Sequence, residues 1–214
     1  MPPASLGHFV RLLLQSPGPN SFNPWTDFDP TTDTDANAPA QRLARLRAHL
    51  DCNARWILIG EAPGYQGCKV SDIPFTSERL MLEGLIPRID LKERRLSTRE
   101  RPWSEPSATI VWGTLHALGI ADQTILWNAY PWHPHKRGNP HSNRTPKPAE
   151  RETGRPVLVT LLKAFPNAQL FALGRQAEYT LADMAIIATP LRHPAMGGAT
   201  LFRIGLRQAV RRLT

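Results

Sequence analysis

Apolar residues occur along the chain in two patterns, short unbroken runs and longer segments with helical spacing. The unbroken runs predict four buried strands, at residues 56–60, 124–132, 168–174 and 185–191. Helical spacing is found around Phe9 and Leu46 and over residues 77–86, 107–120, 148–165, 175–184 and 201–213. Because short apolar strands alternate with helices, we predict an α/β fold, a three-layer αβα arrangement around a short, mostly parallel four-stranded central sheet.

The first quarter of the chain departs from this alternation. Residues 16–39 are rich in proline, asparagine and aspartate and are therefore predicted to be irregular. They also carry Phe22, Trp25 and Phe28, which favours a loop packed on the domain over a free linker. We expect residues 1–54 to form helices and a loop that pack on a single domain spanning residues 1–214, and the charged segment 88–106 to be exposed.

Charge narrows the choice of partner. Lysine and arginine number 26 against 18 acidic residues, a formal net charge of +8, and this excess favours a polyanion such as nucleic acid. Two cysteines exclude a disulfide scaffold and fit a reducing cytosol. No run approaches the roughly 18 apolar residues that span a bilayer, and no secretory signal pattern opens the sequence. The expected location is therefore cytoplasmic, associated with the nucleoid if the source is bacterial.

Three polar side chains follow apolar runs of the predicted sheet. Glu61 comes directly after the first run, Asn128 ends the apolar part of the second, and His193 follows the last. Because the carboxyl ends of parallel strands meet at one edge of a sheet, where ligands bind in open α/β folds, these residues are predicted to share a site. An asparagine amide matches a donor and acceptor pair on one edge of a pyrimidine, and a histidine can donate to an oxygen that gains charge during a reaction.

Each of these residues also has a structural interpretation. Asn128 could be a turn residue, His193 could be an exposed loop histidine, and Phe75, a candidate for stacking on a base, could belong to the core. A metal site built from His133, His135 and His141, with His116 and Cys68 elsewhere in the chain, is disfavoured, since the proline-broken spacing lacks a zinc pattern. No metal ligand is therefore predicted.

The order of several short motifs resembles the uracil-DNA glycosylase superfamily. These motifs are GEAPG at residues 60–64, PFTSE at 74–78, WNAYPWHP at 127–134, ALGRQA at 172–177 and RHPAMGG at 192–198. The resemblance extends roughly from Arg55 to Val210 and is nearest to the branch whose first motif reads GEAPG and which holds an iron–sulfur cluster. It implies a fold and an activity in which a damaged base is flipped out of DNA and its N-glycosidic bond is hydrolysed.

The resemblance also implies a role for each residue that matches a motif. Phe75 would stack on the flipped base, Asn128 would read its Watson–Crick edge, and His193 would stabilise negative charge on O2 of the departing base. Glu61 would position or polarise the attacking water, and Met196 would be a wedge that opens the helix. The implied catalytic residues are Glu61, Asn128 and His193, and the implied substrate-binding residues are Gly60, Ala62, Pro63, Gly64, Phe75, Asn128 and Met196, with no cofactor.

The chain departs from the family pattern at several positions. Its two cysteines cannot form the four-cysteine cluster of the nearest branch. Ala62 stands where other branches place a catalytic Asp or Asn, which transfers water activation to Glu61 or leaves it weak. Gly64 replaces a tyrosine that excludes the thymine methyl in the most uracil-selective branch, Gly67 stands where the nearest branch often has another acid, and the last motif reads HPAMGG. The range of bases therefore stays open.

The sequence thus predicts a monofunctional DNA glycosylase for uracil or related deaminated bases, with DNA as its partner and a monomeric state. One alternative is a catalytically weak protein that binds damaged DNA, which Ala62 motivates. A second alternative is a hydrolase of small nucleobase or nucleotide substrates. The basic residues expected to hold phosphates are Lys136, Arg137, Arg144, Arg203 and Arg207.

Overall fold

The computed structural model describes residues 6–90 and 95–213. Its strands are β1 Ser21–Phe22, β2 Trp56–Gly60, β3 Thr124–Asn128, β4 His133–Pro134, β5 Gln169–Leu173 and β6 Thr189–Leu191. Its helices are α1 Leu6–Leu13, α2 Ala38–Leu50, α3 Cys68–Ser71, α4 Glu78–Leu82, α5 Pro106–Ala117, α6 Pro148–Ala164, α7 Arg175–Asp183 and α8 Ala199–Leu213. Within the described ranges, no helix has both the length and the apolar character that a membrane span requires.

The central sheet contains four parallel strands in the order β3-β2-β5-β6. Its register places Gly60, the last residue of β2, beside Asn128, the last residue of β3. In the other half of the strand order, Leu173 at the end of β5 pairs with Leu191 at the end of β6. The carboxyl ends of the strands therefore lie along one edge, and the predicted α/β fold with a four-stranded parallel sheet is confirmed.

Two predicted strands are shorter by four residues than the apolar runs that predicted them, while β5 is shorter by one residue at each end. β3 ends at Asn128, and the chain beyond it turns so that β4 pairs antiparallel with β1 in a separate two-stranded sheet. β6 has three residues, because Ala185 adopts a φ of +56° and Ile187, which is 94 % exposed, lies outside the sheet. Pairing with neighbouring strands decides where a ladder ends, and an apolar run carries little information about it.

Both faces of the sheet are covered. Ile57 and Ile59 of β2 belong to one buried cluster, and Trp56 and Leu58 belong to the other, as expected when successive side chains point to opposite faces. One face packs against α1, α2, α6 and α7, and the other packs against α4, α5 and α8. Burial on both faces explains why the strands are continuous apolar runs and show no polar alternation.

The N-terminal segment packs on the first of these faces. Phe9 of α1 and Trp25 of the following loop contact Trp127 of β3, with ring centroids 5.3 Å and 5.9 Å away. The loop between β1 and α2 is therefore anchored in the core by an aromatic side chain, although its composition is that of an irregular segment.

Buried ion pairs fix the same loop. Arg42 of α2 is 1 % exposed, and its Nη1 lies 2.7 Å from Oδ1 of Asp33. Lys69 of α3 is also buried, with its Nζ 2.5 Å from Oδ2 of Asp29. Helical spacing places arginines around the leucines of α2, but the spacing does not reveal that one of them is enclosed by an acid of the loop that precedes the helix.

The charged segment 88–106 is only partly exposed, so the expectation from its composition was wrong in part. Residues 91–94 lie outside the described residues, and Leu96 and Ser97 are buried. The buried carboxylate of Glu78 accepts hydrogen bonds from the Ser97 hydroxyl at 2.8 Å and from the backbone N–H of Trp103 at 3.1 Å. These bonds satisfy polar groups that the composition alone would leave in water.

Candidate active site

A cleft of about 830 Å³ opens at the carboxyl edge of the sheet. Its wall contains the three residues at the strand ends, Glu61, Asn128 and His193. This position is the one expected for a ligand site in an open parallel sheet. The other predicted site residues in its wall are Ala62, Pro63, Gly64, Phe75, Arg144 and Met196.

Asn128 lies at the floor of this cleft and is 3 % exposed. Its Nδ2 donates to the sulfur of Cys68 at 3.9 Å, which is the one hydrogen bond of this side chain within the described residues. Its Oδ1 lies over Gly60, where an added Cβ would approach it to 2.7 Å. A thiol is a weak acceptor, so the amide keeps its capacity to bind the edge of a base.

Phe75 forms part of the cleft wall in a backbone conformation that bulky residues rarely adopt, with φ at +50°. Such a conformation costs on the order of 1–3 kcal/mol and persists only where the surroundings fix it. Here the Ser71 hydroxyl donates to the carbonyl of Thr76 at 2.8 Å, and Nε1 of Trp112 donates to the Thr76 hydroxyl at 2.9 Å. The loop therefore holds the phenyl ring in a fixed place.

His193 follows β6 and faces Phe75, with the two ring centroids 5.7 Å apart. The backbone N–H of Ala195 donates to Nδ1 of His193 at 3.1 Å, so Nδ1 is an acceptor and the neutral ring carries its proton on Nε2. Burial and the neighbouring Arg192 lower the pKa of His193, which favours the neutral form. Gly174, at φ +87°, makes room for this ring, since a Cβ there would lie 3.0 Å from that of His193.

Glu61 is half-buried at the exit of β2. Burial raises the pKa of its carboxyl, while a hydrogen bond with the Thr145 side chain and the charge of Arg151 act in the opposite direction. Its Oε1 is buried and has no hydrogen-bond partner within residues 6–90 and 95–213. The carboxyl therefore has one oxygen whose hydrogen-bonding capacity is not used within the described residues.

The turn after Glu61 is attached to the loop that follows β4. Nδ1 of His133 lies 2.7 Å from the carbonyl oxygen of Pro63, and Oδ1 of Asn143 accepts the backbone N–H of Tyr65 at 3.0 Å. Burial lowers the pKa of His133 to about 4. This histidine thus orders the cleft wall as a neutral group, and the described residues contain no cluster of three or more His, Cys, Asp or Glu side chains that could hold a metal ion.

The basic residues expected to hold phosphates occupy different places. Arg144 lines the cleft, but its guanidinium is paired with Glu150, Nη2 to Oε1 at 2.6 Å, and also donates to the carbonyl of His135 at 2.8 Å. Its guanidinium is therefore already bound to α6 and to the preceding loop. The other four are exposed and lie outside the cleft wall: Lys136, Arg137, Arg203 and Arg207.

Several residues of the cleft wall were not predicted as site residues from the sequence, and three of them carry ionisable side chains. They are Cys68, Glu105 and Arg175. Arg175 belongs to the ALGRQA motif and could have been found there, as the first residue after β5 and Gly174. Glu105 had no comparable signal, because it lies in a charged segment that composition predicts to be exposed.

Comparison with known protein families matches residues 48–201 to the Uracil DNA glycosylase superfamily. The matched range contains all four strands of the central sheet and the three strand-end residues. The chain therefore belongs to the uracil-DNA glycosylase superfamily, whose members are DNA glycosylases. The superfamily that the motifs suggested is confirmed, and the assignment to its GEAPG branch stays a prediction.

A solved structure gives independent support for the fold. The chain is similar to wild-type SMUG2 of Pedobacter heparinus, with a TM-score of 0.64 and 17 % sequence identity over 100 % of this chain and 99 % of the SMUG2 chain. At this identity the similarity concerns the fold alone. The comparison with curated proteins gives no significant match.

Proposed function

We propose that this protein is a monofunctional DNA glycosylase that hydrolyses the N-glycosidic bond of uracil or a related deaminated base in DNA, as a step of base excision repair. The observation that carries the proposal is the convergence of Glu61, Phe75, Asn128 and His193 in the wall of one cleft. An acid, an aromatic ring, an amide and a neutral imidazole supply the contacts that binding and expelling a base require. Superfamily membership supports the same reaction class.

Recognition of the base would depend on Phe75 and Asn128. The phenyl ring stacks on the flipped base, whose removal from the duplex exposes the reacting bond. The amide of Asn128 accepts from N3–H of uracil through Oδ1 and donates to O4 through Nδ2. Cytosine has an amino group in place of O4 and lacks the N3 proton, so this orientation of the amide favours the deaminated base.

Bond cleavage would depend on Glu61 and His193. Glu61 orients a water molecule, whose oxygen bonds to C1′ of the sugar as the bond between C1′ and the base breaks and leaves its electron pair on the base. Nε2–H of His193 donates to O2, where the negative charge collects, and such a preorganised donor contributes about 10²–10³ in rate. Glu61 takes the proton of the water, and the base anion takes a proton from solvent.

The absence of strand cleavage is part of the proposal. Lys69, the lysine next to the GEAPG turn, is 2 % exposed and paired with Asp29. The wall of the cleft, as far as the structure describes it, contains no lysine. Without an amine that can attack C1′, the product is an abasic site in an intact strand.

The direct test is to incubate the protein with oligonucleotides that contain uracil, hypoxanthine or xanthine and to measure alkali-sensitive abasic sites. We expect base release from at least one of them under single-turnover conditions. Binding of the damaged oligonucleotide without release would favour a weak damage-binding protein, to which Ala62 points. Release of bases from free nucleosides but not from oligonucleotides would favour a small-molecule hydrolase.

Binding to DNA is expected to weaken steeply as salt rises. Lys136, Arg137, Arg203 and Arg207 are exposed cations, and each phosphate contact adds about 0.7–0.9 to the slope of log affinity against log salt. Arg137→Ala should therefore reduce this slope by about 1 for an undamaged oligonucleotide. Arg11→Ala, an exposed arginine of α1 outside the cleft wall, is the matched control. A flat salt response of the unmodified protein would remove nucleic acid as the partner.

Met196 is expected to matter more on duplex DNA than on single strands. It is 94 % exposed at the tip of the loop that carries His193, with its φ at +52°. Apolar side chains of this kind enter between bases and offset an unstacking cost of a few kcal/mol. Met196→Ala should slow excision from a paired site more than from single-stranded DNA, with Ile187→Ala, equally exposed on another loop, as the control. Equal slowing on both substrates would contradict the wedge and indicate a role in the pocket or the fold.

A further inference from the structure

Glu105 is an acid whose position is not explained by the fold. It occupies the N-cap position of α5, yet its side chain makes no capping hydrogen bond. The side chain instead belongs to the cleft wall. No hydrogen-bond or ion-pair partner for its carboxyl is found among residues 6–90 and 95–213. An acid near a helix N-terminus normally gains from the backbone N–H groups and the helix dipole, so this orientation gives up a favourable interaction.

The carboxyl of Glu105 fits into a space that a glycine leaves open. A Cβ on Gly67 would overlap Oε2 of Glu105 and lie 2.8 Å from its Cδ. The next residue, Cys68, is the thiol that accepts from the amide of Asn128 at 3.9 Å. The carboxyl, the thiol and the amide all belong to the cleft wall. The carboxyl is close enough to the thiol to influence its ionisation, and the thiol in turn contacts the amide that is proposed to read the base.

The surroundings favour the protonated carboxyl. Burial raises the pKa of Glu105 to about 7. The facing thiol of Cys68 is itself neutral, because burial raises its pKa well above the ordinary value. The remaining titratable or cationic residues of the cleft wall are Glu61, Arg144, Arg175 and His193. Of the two arginines, Arg144 is paired with Glu150 and Arg175 is exposed.

We propose that Glu105 is a specificity-determining residue of the base pocket, where its protonated carboxyl donates a hydrogen bond to a carbonyl oxygen of the flipped base. The inference rests on the proposed glycosylase function and adds a second reader of the base beside Asn128. A protonated carboxyl can donate to a carbonyl oxygen, whereas an ionised one can only accept. Ionised Glu105 would repel both the carbonyl oxygen and the negative charge that develops on the departing base. The pocket therefore favours deaminated, carbonyl-bearing bases while Glu105 holds its proton.

The sign of the pH effect follows from this protonation. Below pH 7 the carboxyl is a donor, and above pH 7 it becomes an anion. Between pH 6 and pH 8 the protonated fraction falls roughly tenfold for a group that titrates near 7. Entry of a base into the pocket buries the Glu105 carboxyl further and raises the pH at which it is half protonated. The fall in the excision rate between pH 6 and pH 8 is therefore a lower limit on the contribution of this hydrogen-bond donor to the rate.

The experiment compares the unmodified protein with Glu105→Gln and Glu105→Ala. Single-turnover excision from a uracil oligonucleotide and binding of free uracil are measured at pH 6 and pH 8. We expect the unmodified protein to lose up to about tenfold in rate and affinity between these pH values. Glu105→Gln keeps an N–H donor that does not titrate, so its values should be nearly equal at the two pH values. The rate and affinity of Glu105→Ala should also be nearly equal at the two pH values, and its excision rate at pH 6 should be lower than that of the unmodified protein.

Thermal unfolding gives a readout that does not depend on catalysis. Burial raises the pKa of Glu105 in the folded state above that of the unfolded chain, so the folded state loses stability as pH rises toward 7. The unmodified protein should therefore lose more in Tm between pH 6 and pH 8 than Glu105→Gln does. Glu100→Gln, at an exposed acid of the preceding segment, is the matched control and should behave like the unmodified protein.

The outcomes separate this inference from the proposed function. Excision by all three proteins with one common pH profile would overturn the role of Glu105 and leave the glycosylase proposal intact. A second outcome is that none of the proteins excises uracil, while uracil binding depends on pH in the unmodified protein and does not depend on pH in Glu105→Gln. This outcome would support the role of Glu105 and contradict the proposed glycosylase function. If Glu105→Ala does not fold, the comparison of the unmodified protein with Glu105→Gln still shows whether Glu105 causes the pH dependence.

Discussion

Replacing His193 or Asn128 with alanine should lower the single-turnover rate of uracil excision by at least about 10²-fold. For His193 the reason is the loss of the Nε2–H donor that the hydrogen bond from Ala195 to Nδ1 orients toward a developing anion. For Asn128 the reason is the loss of the amide that is fixed between Gly60 and Cys68 at the cleft floor. The measurement is release of uracil from a labelled oligonucleotide with enzyme in excess.

Two surface variants serve as controls for these substitutions. His8→Ala and Asn167→Ala remove the same side-chain types at exposed positions outside the cleft wall and should leave the rate unchanged. Thermal unfolding of each variant distinguishes a lost contact from a lost fold. A near-native rate for His193→Ala or for Asn128→Ala would show that the role assigned to that residue is wrong.

The sequence was sufficient to predict the sheet and the meeting of its strand ends. Four apolar runs separated by helices allow few arrangements other than a parallel sheet with both faces covered. Once the strands are parallel, Glu61, Asn128 and His193 must approach one edge, and all three line the same cleft. Topology makes this inference possible, because it requires no knowledge of side-chain contacts.

Contacts between individual side chains of different segments could not be predicted in this way. Arg42 is enclosed by Asp33, and Glu105 lies against Gly67, a residue that precedes it by more than 30 positions. Neither pairing leaves a periodic trace in the sequence, and charged residues are ordinarily solvent-exposed. The end of β3 was missed for a related reason, since the pairing of β4 with β1 is set by a segment that reads as irregular.

Activation of the attacking water is the proposed step that depends on a single side chain. Ala62 cannot orient a water, so the proposed step depends on Glu61. The raised pKa of the Glu61 carboxyl suits a general base that accepts a proton from water during the reaction. The hydrogen bond with Thr145 limits this rise in pKa.

A methyl group on Gly60 should abolish most of the activity, although no catalytic side chain is replaced. Gly60 does not line the cleft, but a Cβ there would lie 2.7 Å from Oδ1 of Asn128 and 2.8 Å from Cε2 of Phe75. Both distances are shorter than van der Waals contact, so the amide and the phenyl ring would have to move together, and a displacement of about 1 Å can cost 10²-fold in rate.

We therefore expect Gly60→Ala to lose about 10²-fold or more in uracil excision and to lose binding of free uracil in parallel, because base recognition and catalysis share the same two side chains. Overpacking of this kind costs about 1–3 kcal/mol in the free energy of unfolding, so the protein should remain folded at room temperature. Gly113→Ala on α5, where an added Cβ meets nothing within 4 Å, is the matched control and should keep full activity. If Gly60→Ala excises uracil at the native rate, Asn128 and Phe75 adapt to the methyl group, and the fixed geometry proposed for the base pocket is not required.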